Sequence, residues 1–347
     1  MKPRLTWLLA LVPVSIAADL LHRELAVFVT SALAIVPLAA LIGTATEQLA
    51  LHAGQRVGGL LNATLGNATE LIISVFLILD GQIEIVKASL TGSILGNLLL
   101  VLGMSLFLGG LRHHQQRYSS ETASVHASSM LLAVAGFLMP ALFVLSSGGD
   151  SFVEREVVSG TVAAILIASY AAVLIFTLAT HADLFEAPTV GTDAAWSLRR
   201  AVLVLAAVTA LVALESELLV SSLEPALASL GISPTFVGLI VVPIIGNAAE
   251  HSSAVMFALR DQLDVTLEIA TGSSMQIALF VAPTLVFVSI VAGHPMSFVF
   301  TPFEVGAVAL SALLVGIIVR DGASNWLEGA QLLATYAIIA VSFSFVR

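Results

Sequence analysis

Two short segments of this chain place a carboxylate, a primary amide and a glycine at helical spacing inside apolar runs. One is L-G-N-A-T-E-L at 65 to 71, the other I-G-N-A-A-E-H at 245 to 251. On a helix, Asn67 and Glu70 lie three residues apart and share a face, as do Asn247 and Glu250. Gly66 and Gly246 precede each glutamate by one turn, where glycine permits close helix approach or an unwinding that frees carbonyl oxygens. Two carboxylates, two amide oxygens and freed carbonyls make a hard, oxygen-only site. Ca2+ takes about six to eight such ligands, whereas Mg2+ holds its water more tightly and is served less well by a dry cage. Transition metals favour His or Cys; the chain has no Cys, and only His251 adjoins the motif. Protons compete with a divalent cation for the same carboxylate oxygens, and competition at one site is all that exchange requires. The empty dianion is too costly to enclose in a closed site of low dielectric. The bland alternative is that Glu70 and Glu250 are permanently protonated and merely bridge helices.

The two motifs stand at a constant offset of 180, and the match continues into the following segment. L-T-G-S-I-L-G-N-L-L-L-V-L-G (90 to 103) lies against A-T-G-S-S-M-Q-I-A-L-F-V-A-P (270 to 283), so Gly92–Ser93 falls on Gly272–Ser273. Upstream, T-A-T-E-Q-L (44 to 49) echoes L-E-S-E-L-L (214 to 219) and pairs Glu47 with Glu217. On the helix after each motif, Ser93, Asn97, Ser273, Ser274 and Gln276 supply oxygens or orient the glutamates; the alternative is ordinary interhelical hydrogen bonding. Gln276 aligns with Gly96, and this neutral amide keeps the site at two carboxylates, which favours one divalent ion. Glu47, Glu215 and Glu217 read either as an ion or proton path along the second and seventh helices or as interfacial acids. His251 is either a proton relay or a satisfied core histidine, and His113, His114 and Arg117 read as a solvated loop.

The elements that carry these residues are membrane helices. The 347 residues are 58% hydrophobic and 10% charged, against about 25% charged in a soluble chain; mean hydropathy is +1.04. Apolar runs of about 20 residues recur along the whole length, each long enough to cross the hydrocarbon. Helices satisfy their backbone groups in lipid, and the alternation of barrel strands is absent. Breaks at Gly, Pro and charge clusters give eleven spans: 5–21, 25–51, 58–79, 84–109, 123–146, 157–180, 198–222, 232–259, 263–291, 297–319 and 325–345. The motif-bearing eighth helix lies five spans on from the third, an odd step, so the two run in opposite directions. That is an inverted-topology repeat, with the substrate site expected near the midplane where the halves meet.

Lys and Arg fall unevenly about these spans. Nine (Lys2, Arg4, Arg56, Arg112, Arg117, Arg199, Arg200, Arg260, Arg320) lie on the N-terminal side and four (Arg23, Lys87, Arg155, Arg347) on the other. The positive-inside tendency therefore places the N-terminus in the cytoplasm and the C-terminus outside. The first apolar run reads as a membrane helix rather than a signal peptide, because another span follows at once. The organisation expected is an N-terminal helix (1–22), a first five-helix repeat (23–180), an acidic cytoplasmic connection (181–197) and a second repeat (198–347). That connection reads as a solvated linker or as a regulatory acidic segment. With 13 Lys and Arg against 23 Asp and Glu, no basic face for nucleic acid exists, and the absence of Cys excludes a disulfide framework. No cofactor is called for, and no H-E-x-x-H or comparable enzymatic arrangement is present, so an enzyme is not expected. The lipid bilayer is the evident partner.

With these residues in view, G-N-A-T-E-L-I and G-N-A-A-E-H, each followed by a G-S motif, resemble the cation/proton exchanger family of Ca2+/H+ antiporters. This family belongs to the cation/Ca2+ exchanger superfamily that also contains the Na+/Ca2+ exchangers. The resemblance covers essentially the whole chain and implies one helix followed by two inverted five-helix repeats, with the cation held between the third and eighth helices. It implies Glu70 and Glu250 as cation-binding groups, with Asn67, Asn247, Gly66 and Gly246 lining the same place. It further implies Ser93, Ser273 and Gln276 as supporting residues, Glu47 and Glu217 as gating acids, and assembly as an oligomer, commonly a trimer. The activity expected is export of cytoplasmic Ca2+ in exchange for H+, in a prokaryotic inner membrane. A Na+-coupled exchanger of the same superfamily and a passive cation channel are the competing readings.

Overall fold

A computed structural model describes residues 7–147, 152–185 and 194–345. Eleven apolar helices run through them, and the architecture is nearly all helical. They are α1 (Trp7–Leu20), α2 (Glu24–Ala53), α3 (Val57–Leu79), α4 (Ile83–Arg112), α5 (Ser120–Ser146) and α6 (Val153–Thr180). The second half holds α7 (Leu198–Ser221), α8 (Pro234–Ala258), α9 (Leu263–Val291), α10 (Pro302–Ile318) and α11 (Trp326–Phe343). Nine of these are long and apolar enough to cross a membrane, and α1 and α10 are shorter apolar helices. Residues 186–193 of the acidic connection, with Glu186 and Asp193, and residues 1–6 with Lys2 and Arg4 lie outside the described residues, as does Arg347.

Three boundaries differ from the hydropathy reading, each for a local reason. The third span is not one helix: it runs Gln55–Leu65 and resumes at Ala68–Leu79, with Asn67 at φ −97° and ψ 23° between them. The tenth begins at Pro302 rather than 297, because Thr301 forms a capping box with Glu304 and Pro302 takes the first helical position. The chain ahead of it is held without helix: Ser289 accepts the Met296 N–H at 2.8 Å and Ser159 accepts that of Phe298 at 2.8 Å. The third difference is in the α4–α5 connection, expected as a solvated loop. There β1 (Gln116–Arg117) pairs antiparallel with β2 (Ala323–Ser324), and His113 and His114 precede this two-residue ribbon.

The packing follows the repeat. α2 lies along α7 and against α8, while α7 lies against α3, so each half's long outer helix covers the other half's motif helix. α4 and α9 are the most buried spans, and α3, α4, α8 and α9 form the centre. α4 and α8 cross so closely that a Cβ on Gly92 would overlap the Leu239 carbonyl, and one on Gly238 would stand 2.8 Å from the Ile85 oxygen. Without glycine at both positions the two helices would be forced apart at the level of Ser93.

Both central helices depart from α geometry at matching places. Gly96–Val101 in α4 and Ile277–Val281 in α9 are π-helical turns one repeat offset apart. α9 carries a further π-turn, Glu268–Gly272, whose counterpart in α4 (residues 88–92) is ordinary α-helix. Such turns leave carbonyls less fully bonded and often mark functional sites.

Candidate cation site

The site is assembled across the repeat interface, with each half contributing to both glutamates. Glu70 enters from α3, is 4% exposed, and its Oε1 has no hydrogen-bond partner among the described residues. It lies against the backbone of α8: a Cβ on Gly246 would stand 3.2 Å from Glu70 Oε1 and 3.3 Å from its Cδ. Glycine at 246 is thus what lets the carboxylate reach the partner helix. The two sequence options for the motif glycines are divided between the halves. α3 unwinds at Gly66–Asn67, whereas α8 is continuous from Val242 to Ala258 and uses Gly246 for close approach.

Glu250 is partly buried and is reached from α9. Ser273 Oγ lies 3.1 Å from Glu250 Oε2 and 3.0 Å from Asn67 Oδ1. Asn67 Nδ2 in turn donates to Gln276 Oε1 at 2.7 Å. The chain Glu250–Ser273–Asn67–Gln276 therefore joins three helices and both repeats. A hydroxyl has one proton. With Asn67 donating to Gln276, that proton goes to Asn67 Oδ1, so the Ser273–Glu250 contact is a hydrogen bond only when the carboxyl donates. With Glu250 ionised, Ser273 donates to it, and the Asn67 and Gln276 amides must turn over so that each donates toward the serine.

The other half is related but looser. Asn247 Nδ2 donates to the Pro243 carbonyl at 3.1 Å and stands 3.5 Å from Ser93 Oγ. His251 Nε2 bonds Asn97 Oδ1 at 3.1 Å, tying α8 to the π-turn of α4, while Asn97 Nδ2 is buried without a partner among the described residues.

Other residues singled out in the sequence lie apart from this cluster. Ser274 donates to its own helix at Ala270. Glu47 and Glu217 are exposed, near the ends of the antiparallel helices α2 and α7. Glu215 is fully buried and accepts from Ser15 of α1 at 2.8 Å, and its Oε2 has no partner among the described residues. Sequence reasoning missed His126 on α5, which reaches α9 beside Gly272–Ser273. No motif marked it, because its partners come from a different span.

A family model described as sodium/calcium exchanger protein matches residues 23–179 and 200–345. The chain belongs to the sodium/calcium exchanger family. Within this exchanger family it is 48% identical to a protein named Ca(2+)/H(+) antiporter from Synechocystis sp., over 97% of this chain and 96% of the relative. It is 42% identical to the Ca(2+)/H(+) antiporter ChaA of Bacillus subtilis, over 96% of both. Among solved structures, native YfkE superposes with a TM-score of 0.86 at 40% identity, over 99% of this chain and 100% of the other. A structure described as the H+/Ca2+ exchanger CAX shares the fold, with a TM-score of 0.79 at 14% identity over 99% of this chain and 91% of the other.

Proposed function

We infer that this exchanger-family chain is a secondary active transporter that moves Ca2+ against H+ by alternating access. The observation that carries the reading is that Glu70 of one repeat lies against Gly246 of the other, one helical turn before Glu250. Glu70 reaches α8 at Gly246, and Glu250 joins the relay through Ser273, Asn67 and Gln276. Its curated relatives from Synechocystis sp. and Bacillus subtilis carry the same named activity. Ca2+ and H+ are its substrates.

The chemistry rests on charge. One Ca2+ or two protons neutralise the pair of carboxylates equally, whereas the bare dianion is unfavourable in a closed, dry site. Only the loaded forms reorient, so a proton gradient drives Ca2+ the other way. Cation binding to ionised Glu250 turns Ser273 and Asn67 toward the carboxylate, and protonation turns the relay back. Asn247, Gly66 and Gly246 are assigned to the same site, with Ser93, Asn97 and Ser274 in support. Glu47 and Glu217, near opposite ends of α2 and α7, are assigned to two access paths, and Glu215 and His251 to the helices that open them.

The finer assignments belong to the same reading. The division into an N-terminal helix (1–22), repeats at 23–180 and 198–347 and a connection at 181–197 is proposed as the unit structure. The face rich in Lys and Arg is taken as cytoplasmic, in a prokaryotic inner membrane, with the C-terminus outside. Assembly as a trimer is tested by mass measurement in detergent or nanodiscs.

The deciding experiment is Ca2+ uptake into proteoliposomes with imposed pH gradients. Wild type takes up Ca2+ with ΔpH, and Glu70→Gln and Glu250→Gln each abolish uptake. Uptake that survives either substitution removes the two-carboxylate mechanism. Flux that follows a Na+ gradient and ignores ΔpH assigns the protein to the Na+-coupled branch, and flux without any counter-ion assigns it to channels.

A further inference from the structure

A tyrosine outside the relay takes up a carbonyl that the break in α3 leaves over. Tyr170 stands on α6 and is 3% exposed. Its hydroxyl donates to the Ala63 carbonyl at 3.0 Å. The direction of this bond is fixed, because a carbonyl only accepts. In an unbroken α-helix the donor to that carbonyl would be the Asn67 N–H. Here the last α-bond before the break runs from the Gly66 N–H to the Asn62 carbonyl at 2.9 Å, and the helix resumes with the Leu71 N–H on the Asn67 carbonyl at 3.1 Å. Ala63 is therefore the first residue whose carbonyl loses its helical donor, and Tyr170 supplies one from another span.

The same side chain holds α9. Its ring stacks on Phe280, with centroids 5.3 Å apart and planes at 23°, an offset arrangement that aromatic pairs favour. Phe280 lies in the π-turn Ile277–Val281, four residues beyond Gln276, and Ala63 lies four residues before Asn67. Tyr170 thus touches both helices within about one turn of the Asn67–Gln276 bond. The N-terminal piece of α3 also packs on α6 nearby: a Cβ on Gly59 would stand 2.5 Å from Leu178 Cδ2.

The other half shows where Asn67 goes when no such donor is present. Pro243 is the repeat counterpart of Ala63, and Asn247 that of Asn67. α8 is unbroken there, and Asn247 Nδ2 folds back onto the Pro243 carbonyl of its own helix at 3.1 Å. Its contact with Ser93 Oγ is stretched to 3.5 Å. In α3 the equivalent carbonyl is met by Tyr170, while Asn67 Nδ2 reaches Gln276 at 2.7 Å and Asn67 Oδ1 lies 3.0 Å from Ser273 Oγ. Without the hydroxyl, the Ala63 carbonyl is an acceptor short of its donor, which is costly away from water. The nearest donors are the Asn67 N–H and Nδ2, and short polar side chains bond their own i−4 carbonyl readily. Both moves close the helix and withdraw Asn67 from Ser273 and Gln276.

We propose that Tyr170 is a positioning residue of the cation site: by taking the Ala63 carbonyl it keeps the break in α3 open and the Asn67 amide between Ser273 and Gln276. It acts through Asn67, and the hydroxyl is the part that matters. The consequence for transport rests on the Ca2+/H+ exchange reading; the effect on the break is a statement about α3 alone.

The test uses the full chain with Tyr170→Phe, which removes the hydroxyl and keeps a ring on Phe280. Uptake of Ca2+ into proteoliposomes under ΔpH gives KM and kcat, and hydrogen–deuterium exchange in detergent follows residues 60–72. KM rises about three- to tenfold, the size of one net hydrogen bond, with kcat within about twofold of wild type. Added to Gln276→Met, which by itself takes away the Asn67 partner, Tyr170→Phe raises KM by less than about a further twofold, since changes along one chain of contacts do not add. Amide hydrogens at 67–70 exchange about threefold or more slowly in the variant as the helix closes, and those of 242–258 in α8 keep their wild-type rates. Unchanged or faster amide exchange at 67–70 overturns the proposal, faster exchange marking a merely structural contact. An unaltered KM, or a fully additive loss on the Gln276→Met background, overturns the route through Asn67. If wild type takes up no Ca2+ under ΔpH, the transport reading fails, and the amide rates still decide whether Tyr170 holds the break.

Discussion

A methyl group at residue 246 is the smallest perturbation that distinguishes a glutamate held by the partner helix from one merely near it. In Gly246→Ala the added Cβ would sit 3.2 Å from Glu70 Oε1 and 3.3 Å from Cδ and Cγ. Carbon–carbon packing prefers about 3.5–4.0 Å, so the carboxylate must retreat by a few tenths of an ångström. Metal–ligand distances tolerate about ±0.2 Å. The shift therefore falls on cation binding more than on the fold. Overpacking of this kind costs about 1–3 kcal/mol, and taking the lower part of that range gives roughly a 5- to 30-fold loss of Ca2+ affinity. Helix propensity acts the other way, since Ala is favoured over Gly by about 1 kcal/mol within α8, so thermal stability stays level or rises while affinity falls. The control is Gly96→Ala, also buried but with nothing within 4 Å of the new Cβ. The assay is ΔpH-driven Ca2+ uptake in proteoliposomes for KM, with thermal unfolding in detergent for stability. A KM for Gly246→Ala within twofold of wild type, or an equal rise in Gly96→Ala, would refute the argument that Gly246 positions Glu70.

Further outcomes follow from the same contacts. Gln276→Met keeps the bulk but removes the acceptor for Asn67 Nδ2; a buried donor left unpaired costs about 1–3 kcal/mol, so KM for Ca2+ rises at least several-fold with expression unchanged, and an unaltered KM removes Gln276 from the relay. Ser15→Ala takes the sole bonded partner shown for Glu215 Oε1 and lowers the unfolding midpoint, by roughly 1–3 kcal/mol in stability; Ser15→Ala combined with Glu215→Leu recovers part of the loss, and if it does not, the α1–α7 contact is not the cause. Glu70→Gln and Glu250→Gln abolish uptake while leaving the protein folded, which circular dichroism and size-exclusion profiles check.

Much of this was legible because two signals are local or periodic. Apolar runs of membrane length, cut by Gly, Pro and charge, give the eleven helices whatever their neighbours are. A constant offset of 180 between G-N-A-T-E and G-N-A-A-E pairs Glu70 with Glu250 and, with the parity of the spans between them, sets the repeats in opposite directions. Where the reading was incomplete, the deciding contact came from another span. Glu215 looked like an interfacial acid or path residue, yet it is buried because Ser15 of α1 lies against it. His126 carried no signal at all, since Thr271 and Glu268 lie more than 140 residues away.

Hydropathy and repetition are written along the chain, and they alone give a membrane protein of duplicated, inverted halves, each with one G-N-A-x-E motif. How those halves differ is visible only in the packed helices. The same glycine–asparagine pair unwinds α3 but leaves α8 intact, and only Gly246 carries the opposite glutamate. Only α9 carries a π-turn bonded by His126. These outcomes depend on which helix faces which and at what distance, and the linear repeat, being nearly symmetric, does not record that choice.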